Sequence, residues 1–173
     1  MLKSTALQHG AFQTGDRVVL SPYGVGVIGG TCCRPVGSQT YTYYEINFPN
    51  SHSRAYVPVN TPGQAGMRAA LTDLELPELL SKLQKSTLGL PRQWSVRQKI
   101  VTDLVAGGNP HELAALICEF KGWNRDRGLP DLDRQAYRRA IKLLQQEVRG
   151  LNGKWAQQIQ LFLEEAWNES PIH

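Results

Sequence analysis

The 173-residue chain lacks the residue patterns by which an enzyme announces itself. Its four histidines, His9, His52, His111 and His173, are scattered over the two halves and the tail. No H-E-x-x-H metal helix, G-x-S-x-G nucleophile turn or G-x-x-x-x-G-K-[ST] phosphate loop occurs. The glycines of GVGVIGG (residues 24–30) fall inside a strand pattern rather than at a strand-to-helix turn, the wrong context for cradling phosphate. Three cysteines cannot form a full disulfide set, and the adjacent Cys32 and Cys33 have neither metal-ligand nor C-x-x-C spacing. With Cys118 they read as reduced thiols of a cytosolic protein. No apolar run approaches the ~20 residues of a membrane helix, and MLKSTALQHGAFQTGD has no apolar stretch of the signal-peptide kind. These absences predict a cytoplasmic non-enzyme with no cofactor, no metal, no membrane and no small-molecule ligand.

Acidic residues are missing from one window as well. None lies between Glu78 and Asp103, a stretch that holds Lys82, Lys85, Arg92, Arg97 and Lys99 with Trp94 among them. A cationic stripe neutralises phosphates and releases their counterions, and a Trp beside it can stack on or wedge against an unstacked base. The net charge of +4 leans the same way, though mildly. Residue type alone leaves Trp94 open between core packing and projection as a probe, since Trp is highly buried on average. On a helical wheel Val96, Ile100 and Leu104 share one side, while Trp94 falls with Val101 and Val105 at the edge of the apolar arc. Arg134, Arg138, Arg139 and Lys142 read as a solvated helix face, with phosphate contact as the minority reading, and Asp131 and Asp133 ahead of them suit the helix dipole. Trp123, Trp155 and Trp167 read as packing residues.

Two halves with different grammar meet near residue 70. In the first, VVL (18–20), VGVI (25–28), TYTYYEINF (40–48) and AYVPV (55–59) are rich in β-branched and aromatic residues and separated by turn clusters. Short strands at this spacing predict a small, strongly twisted barrel. Arg34, beside Pro35 and Val36, and Arg54 with Tyr56 are its exposed candidates; composition leaves them open between a partner-binding edge and ordinary solvated turns. The second half predicts five helices. Thr72-x-x-Glu75 is a capping box, Pro91 a first-turn residue, Asn109-Pro110 and Pro130-Asp131 are helix starts, and Asn152-Gly153 is a break. The segment Asn60–Ala69 reads as the junction.

Long matching motifs then add what composition cannot. F-x-x-GD-x-VVLSPYGVGV (Phe12 to Val27), YYEINFPNSHSRAYVPV (Tyr43 to Val59), LPRQW (Leu90 to Trp94) and RGLPDLDRQAYRRAIKLL (Arg127 to Leu144) resemble the CarD family of bacterial transcription factors over nearly the full length. The resemblance implies an α+β two-domain protein: a Tudor-like barrel over residues 11–66 that binds the RNA polymerase β subunit at its protrusion and lobe, then a helical DNA-contacting bundle over 70–168. In the family a Trp of the helical domain wedges into the minor groove at the upstream edge of the transcription bubble, stabilising the promoter open complex. The matching position is Trp94. Arg97 and Lys99 match basic residues that contact phosphate, with Arg92 beside them, and Val96 stands where some members carry another base. Arg34 and Val36 match the β-subunit contact; Tyr56 stands where some members have Arg, and Arg54 can take part of that role. A stand-alone architectural DNA-binding protein and a protein-protein adaptor without DNA contact are the other two readings.

Overall fold

A computed structural model describes residues 12–170. His9, His173, residues 1–11 of the segment read for a leader and the first residue of the expected barrel domain lie outside the described residues. The chain divides into two compact units between Ala70 and Leu71.

The first unit is one antiparallel sheet of five strands: β1 Arg17–Leu20, β2 Gly24–Val36, β3 Gln39–Phe48, β4 Ser53–Pro58 and β5 Met67–Ala69. Their order is β4-β3-β2-β1-β5. The closed barrel expected from strand spacing is therefore corrected to an open sheet, with β4 and β5 as its edges. The segment expected to be only a junction supplies β5, which pairs with β1 through Val18↔Ala69 and Leu20↔Met67. It was illegible because three residues with no β-branched member carry almost no strand signal; pairing with β1 and burial of Met67 decide it.

Alternation sets the two faces of the sheet. Tyr44, Ile46 and Phe48 of β3 are buried with Val18, Leu20, Ile28, Val57 and Met67. A bulge interrupts β2 against β3: Ile28 faces Ile46, but Gly30 faces Glu45, leaving Gly29 unmatched. Past the bulge β2 and β3 run on together to Val36 and Gln39, while β4 pairs with β3 only from Tyr43 onward. The distal hairpin is thus a two-stranded ribbon with both faces largely exposed.

At Gly26 a Cβ would stand 2.6 Å from Ile46 Cγ2 and 3.0 Å from the Asn47 carbonyl oxygen, so the close approach of β2 to β3 depends on its absence. Overpacking of this kind costs about 1–3 kcal/mol. Gly26→Ala is expected to lower the unfolding free energy of the sheet unit by that amount, read as a lower urea midpoint, while the helical unit's transition holds. Near-ultraviolet and far-ultraviolet unfolding curves of the full chain would separate the two.

The second unit holds α1 Leu76–Gln84, α2 Trp94–Gly107, α3 Pro110–Arg127, α4 Asp131–Val148 and α5 Lys154–Asn168. The capping box forms, with the Thr72 N–H donating to Glu75 Oε2 at 2.9 Å, but its first turn is a short 3₁₀ segment, Asp73–Glu75, and α1 starts behind it. That backbone hydrogen bond, ahead of the His111 contact, holds the Glu75 carboxyl below the ordinary carboxylate range. Asn109 caps α3 by accepting from the His111 and Glu112 amides. The core gathers Leu113, Ile117 and Phe120 of α3, Tyr137, Ile141 and Leu144 of α4, and Ile159 and Leu163 of α5. The Phe120 and Tyr137 rings meet edge-on with centroids 6.3 Å apart. Trp123 and Trp167 pack against this core as expected. Trp155 departs from the expectation and is exposed, because it falls on the outer side of the first turn of α5. No helix among the described residues is long and apolar enough to cross a membrane.

Candidate nucleic-acid and partner interfaces

The helical site begins in the stretch Lys85–Gln93, which has no regular structure of its own and is held by neighbouring side chains. The Glu119 carboxylate of α3 accepts from the Leu88 N–H at 2.7 Å and the Leu90 N–H at 3.1 Å. The Ser86 N–H donates to Cys118 Sγ at 3.3 Å. Leu90 is buried in the core. Backbone donors that a connecting segment would otherwise leave to water are thereby satisfied from one helix.

Arg97 then sets where α2 begins. Its Nη1 donates to the Pro91 carbonyl at 3.2 Å and the Arg92 carbonyl at 2.7 Å. Its Nε and Nη2 grip the Asp133 carboxylate of α4, the Nη2 contact at 3.0 Å. Gln98 adds a donor to Asp133 at 2.9 Å. Asp133 is wholly buried and Arg97 nearly so. The guanidinium fork suits this work, binding a carboxylate on one edge and main-chain oxygens on the other. With the carbonyls of Pro91 and Arg92 taken up, the chain bends at Arg92 and Gln93, Gln93 keeps non-helical backbone angles, and α2 starts at Trp94. The helix start expected at Pro91 is displaced for that reason.

Arg97 was expected to touch DNA phosphate. Its charge is instead spent inside the unit, and its place is behind the site rather than on its surface. Asp133, expected to serve the helix dipole, is the buried partner, and only Asp131 stays exposed at the front of α4. Neither partnership could be read from spacing, since the two residues lie 36 positions apart.

Trp94 is the first residue of α2 and is 54% exposed. It shares the Val101 side of the helix, where the chain packs, but sits past the end of the packed stretch. Val96 and Ile100, which share one side of the helical wheel, face solvent. Arg92 and Lys99 are exposed and make no ion pair among the described residues. Of the remaining window cations, Lys82 is paired with Glu78 at 3.3 Å and Lys85 is exposed. The second basic row is broken up. Arg138 bonds the Trp167 and Ser170 carbonyls and stacks on the Trp167 ring at 3.6 Å, and Arg134 reaches Asp131 and the Leu129 carbonyl, leaving Arg139 and Lys142 exposed.

In the sheet unit the four candidates share one face. Arg34 and Val36 alternate along β2, while Tyr56 faces Glu45 and Arg54 faces Asn47 across β3 and β4. The Arg34 guanidinium lies 4.0 Å from the Tyr56 ring centroid, a cation–π contact spanning three strands. Arg54 pairs with Glu45 at 3.4 Å. The result is an outward patch of two arginines, Tyr56, Tyr41 and Val36 on the face opposite the core.

Residues 12–70 match the CarD-like/TRCF RID domain, and residues 78–164 match the CarD C-terminal domain. The chain belongs to the CarD family. It is also similar to a curated relative from Bacillus subtilis (strain 168) that bears the name "Putative transcription factor YdeB", 22% identical over 151 residues that cover 87% of this chain and 99% of the relative. CarD-family domains are transcription-factor domains without enzymatic activity, and this CarD-family chain fits that description.

Removing one member of a buried ion pair leaves the other charge uncompensated and costs about 3–5 kcal/mol. Asp133→Ala in this CarD-family chain is expected to lower the stability of the helical unit by that order. The double substitution Arg97→Met with Asp133→Leu should recover much of the loss, because both buried charges go. Urea unfolding of the three forms checks it; equal stability of Asp133→Ala and parent would mean the pair is not what holds the turn.

Proposed function

We propose that the protein is a transcription factor that docks on the RNA polymerase β subunit, at the protrusion and lobe, through the outer face of its sheet unit, and stabilises the promoter open complex with Trp94. The carrying observation is Trp94 itself, an indole more than half exposed at the first residue of α2, with Arg92 just ahead of it and Lys99 further along the helix both exposed. Buried Trp is the norm, so an indole kept out by a braced turn argues for use at a surface. The CarD family matches supply the transcriptional setting.

In this reading the sheet unit is a Tudor-like tether, and the helical unit is the DNA-contacting part. Arg34, Val36, Arg54 and Tyr56 form the polymerase contact. Arg92 and Lys99 take phosphates, and Arg97 acts through the turn it holds. Tethering raises the effective concentration of Trp94 at the promoter without new DNA contacts. A wedge seated where the strands part has a place in the open complex and none in the closed duplex, and only such differential affinity shifts an equilibrium. About 1.4 kcal/mol of preference multiplies the opening constant tenfold. The protein works in the cytoplasm, at the nucleoid.

Trp94→Ala is expected to keep polymerase association and to lose at least threefold in open-complex lifetime, read with a bubble-sensitive fluorophore at a weak promoter. Equal lifetimes would remove the wedge. Arg34→Glu is expected to lose polymerase association by tenfold or more in a pull-down with the β subunit, with the sheet folded by circular dichroism. Undiminished capture would move the contact off this face.

A further inference from the structure

Beside the braced turn lies an open recess of about 500 Å³ whose walls include Arg92, Arg97, Arg127 and Arg134, with Leu129 and Asp133. Four arginines and one acidic residue line it, and Arg97 is nearly buried and spent on Asp133. That carboxylate is fully engaged by Arg97 and Gln98. Arg134 divides itself between the exposed Asp131 at 3.3 Å and the Leu129 carbonyl at 2.8 Å. Arg92 and Arg127 are exposed and make no ion pair among the described residues. Arg127 rests on the Trp123 indole, 4.1 Å from the ring centroid, which fixes its plane and leaves its N–H edges free.

Like charges gathered around one concavity repel, and their repulsion is relieved when an anion enters. Planar guanidinium forks meet phosphate oxygens in pairs, with more directional strength than an ammonium offers. A phosphodiester brings a single charge per phosphate, whereas a di- or triphosphate concentrates several in a volume this recess can hold. We propose that the recess is a receptor for a compact polyanion of linked phosphate groups, with Arg92 and Arg127 as its principal ligands and Arg134 as a third. This departs from the expectation of no small-molecule ligand; it shares Arg92 with the phosphate contacts proposed near Trp94, whereas Arg127 belongs to the recess alone.

The test is calorimetric titration of inorganic pyrophosphate and triphosphate into the full chain at low ionic strength, with side-chain Nε signals of the arginines followed by NMR. One site is expected, triphosphate tighter than pyrophosphate and both at least tenfold tighter than orthophosphate, with the Arg127 Nε signal moving on binding. Arg127→Ala should weaken pyrophosphate by tenfold or more and Arg127→Lys by a smaller factor, since Lys keeps the charge and loses the fork. Arg139→Ala, outside the recess, should bind as the parent does. Thermal unfolding of each variant shows that the fold is retained, and Arg127→Lys keeps the test open should Arg127→Ala fail to fold. Absence of binding, or an equal loss in Arg139→Ala, which would indicate a diffuse surface field, overturns the proposal. So does sensitivity to Arg127→Ala confined to forked DNA with pyrophosphate unbound, since the recess would then receive only backbone phosphates.

Discussion

The buried grip of Arg97 on Asp133 is the interaction on which the helical site depends. Burying both ions costs several kcal/mol each before any return, and an apolar pair of similar volume would often be as stable. What the ionic pair does that an apolar pair cannot is to reach, with its spare N–H groups, the carbonyls of Pro91 and Arg92. One guanidinium thereby joins α4, the incoming chain and the first turn of α2. The helix starts at Trp94 because of that junction, and the indole stands out because the helix starts there. Glu119 serves the same turn from the other side through the Leu88 and Leu90 amides.

Preorganisation is the energetic point of such bracing. An indole on a mobile loop would lose conformational freedom on seating against DNA, and that loss would subtract from whatever the contact contributes. A turn already held by Glu119, Cys118 and Arg97 has lost that freedom on folding. The sheet unit uses a similar economy: the Arg34 guanidinium is oriented by the Tyr56 ring, and Arg54 by Glu45, before any partner arrives. In both units charged groups face outward from positions fixed by neighbours on the same surface.

The arginines of the helical unit show how little a charge count says about use. Arg97 is consumed by Asp133 and Arg138 by the carbonyls at the end of α5, whereas Arg92 and Arg127 stay available. All four look alike as cations in a basic chain. Their fates are set by burial and by which oxygens stand within 3–3.5 Å, and those oxygens come from residues distant in sequence.

Much was nevertheless legible from local physics. The strand cores around VVL, VGVI and YYEINF, the Asn109 and Thr72 caps, and the five helical segments follow from alternation and capping chemistry, both of which act over a few residues. Local patterns also marked Trp94 and its acid-free surroundings as a place of interest, and long motifs marked the family. Tertiary structure alone decided that β5 exists, that the sheet stays open, that Arg97 turns inward to Asp133 and that Arg92, Arg127 and Arg134 share one recess. The reason is the same in each case: the partner lies across the fold, and neither hydropathy period nor residue type encodes a contact between residues tens of positions apart.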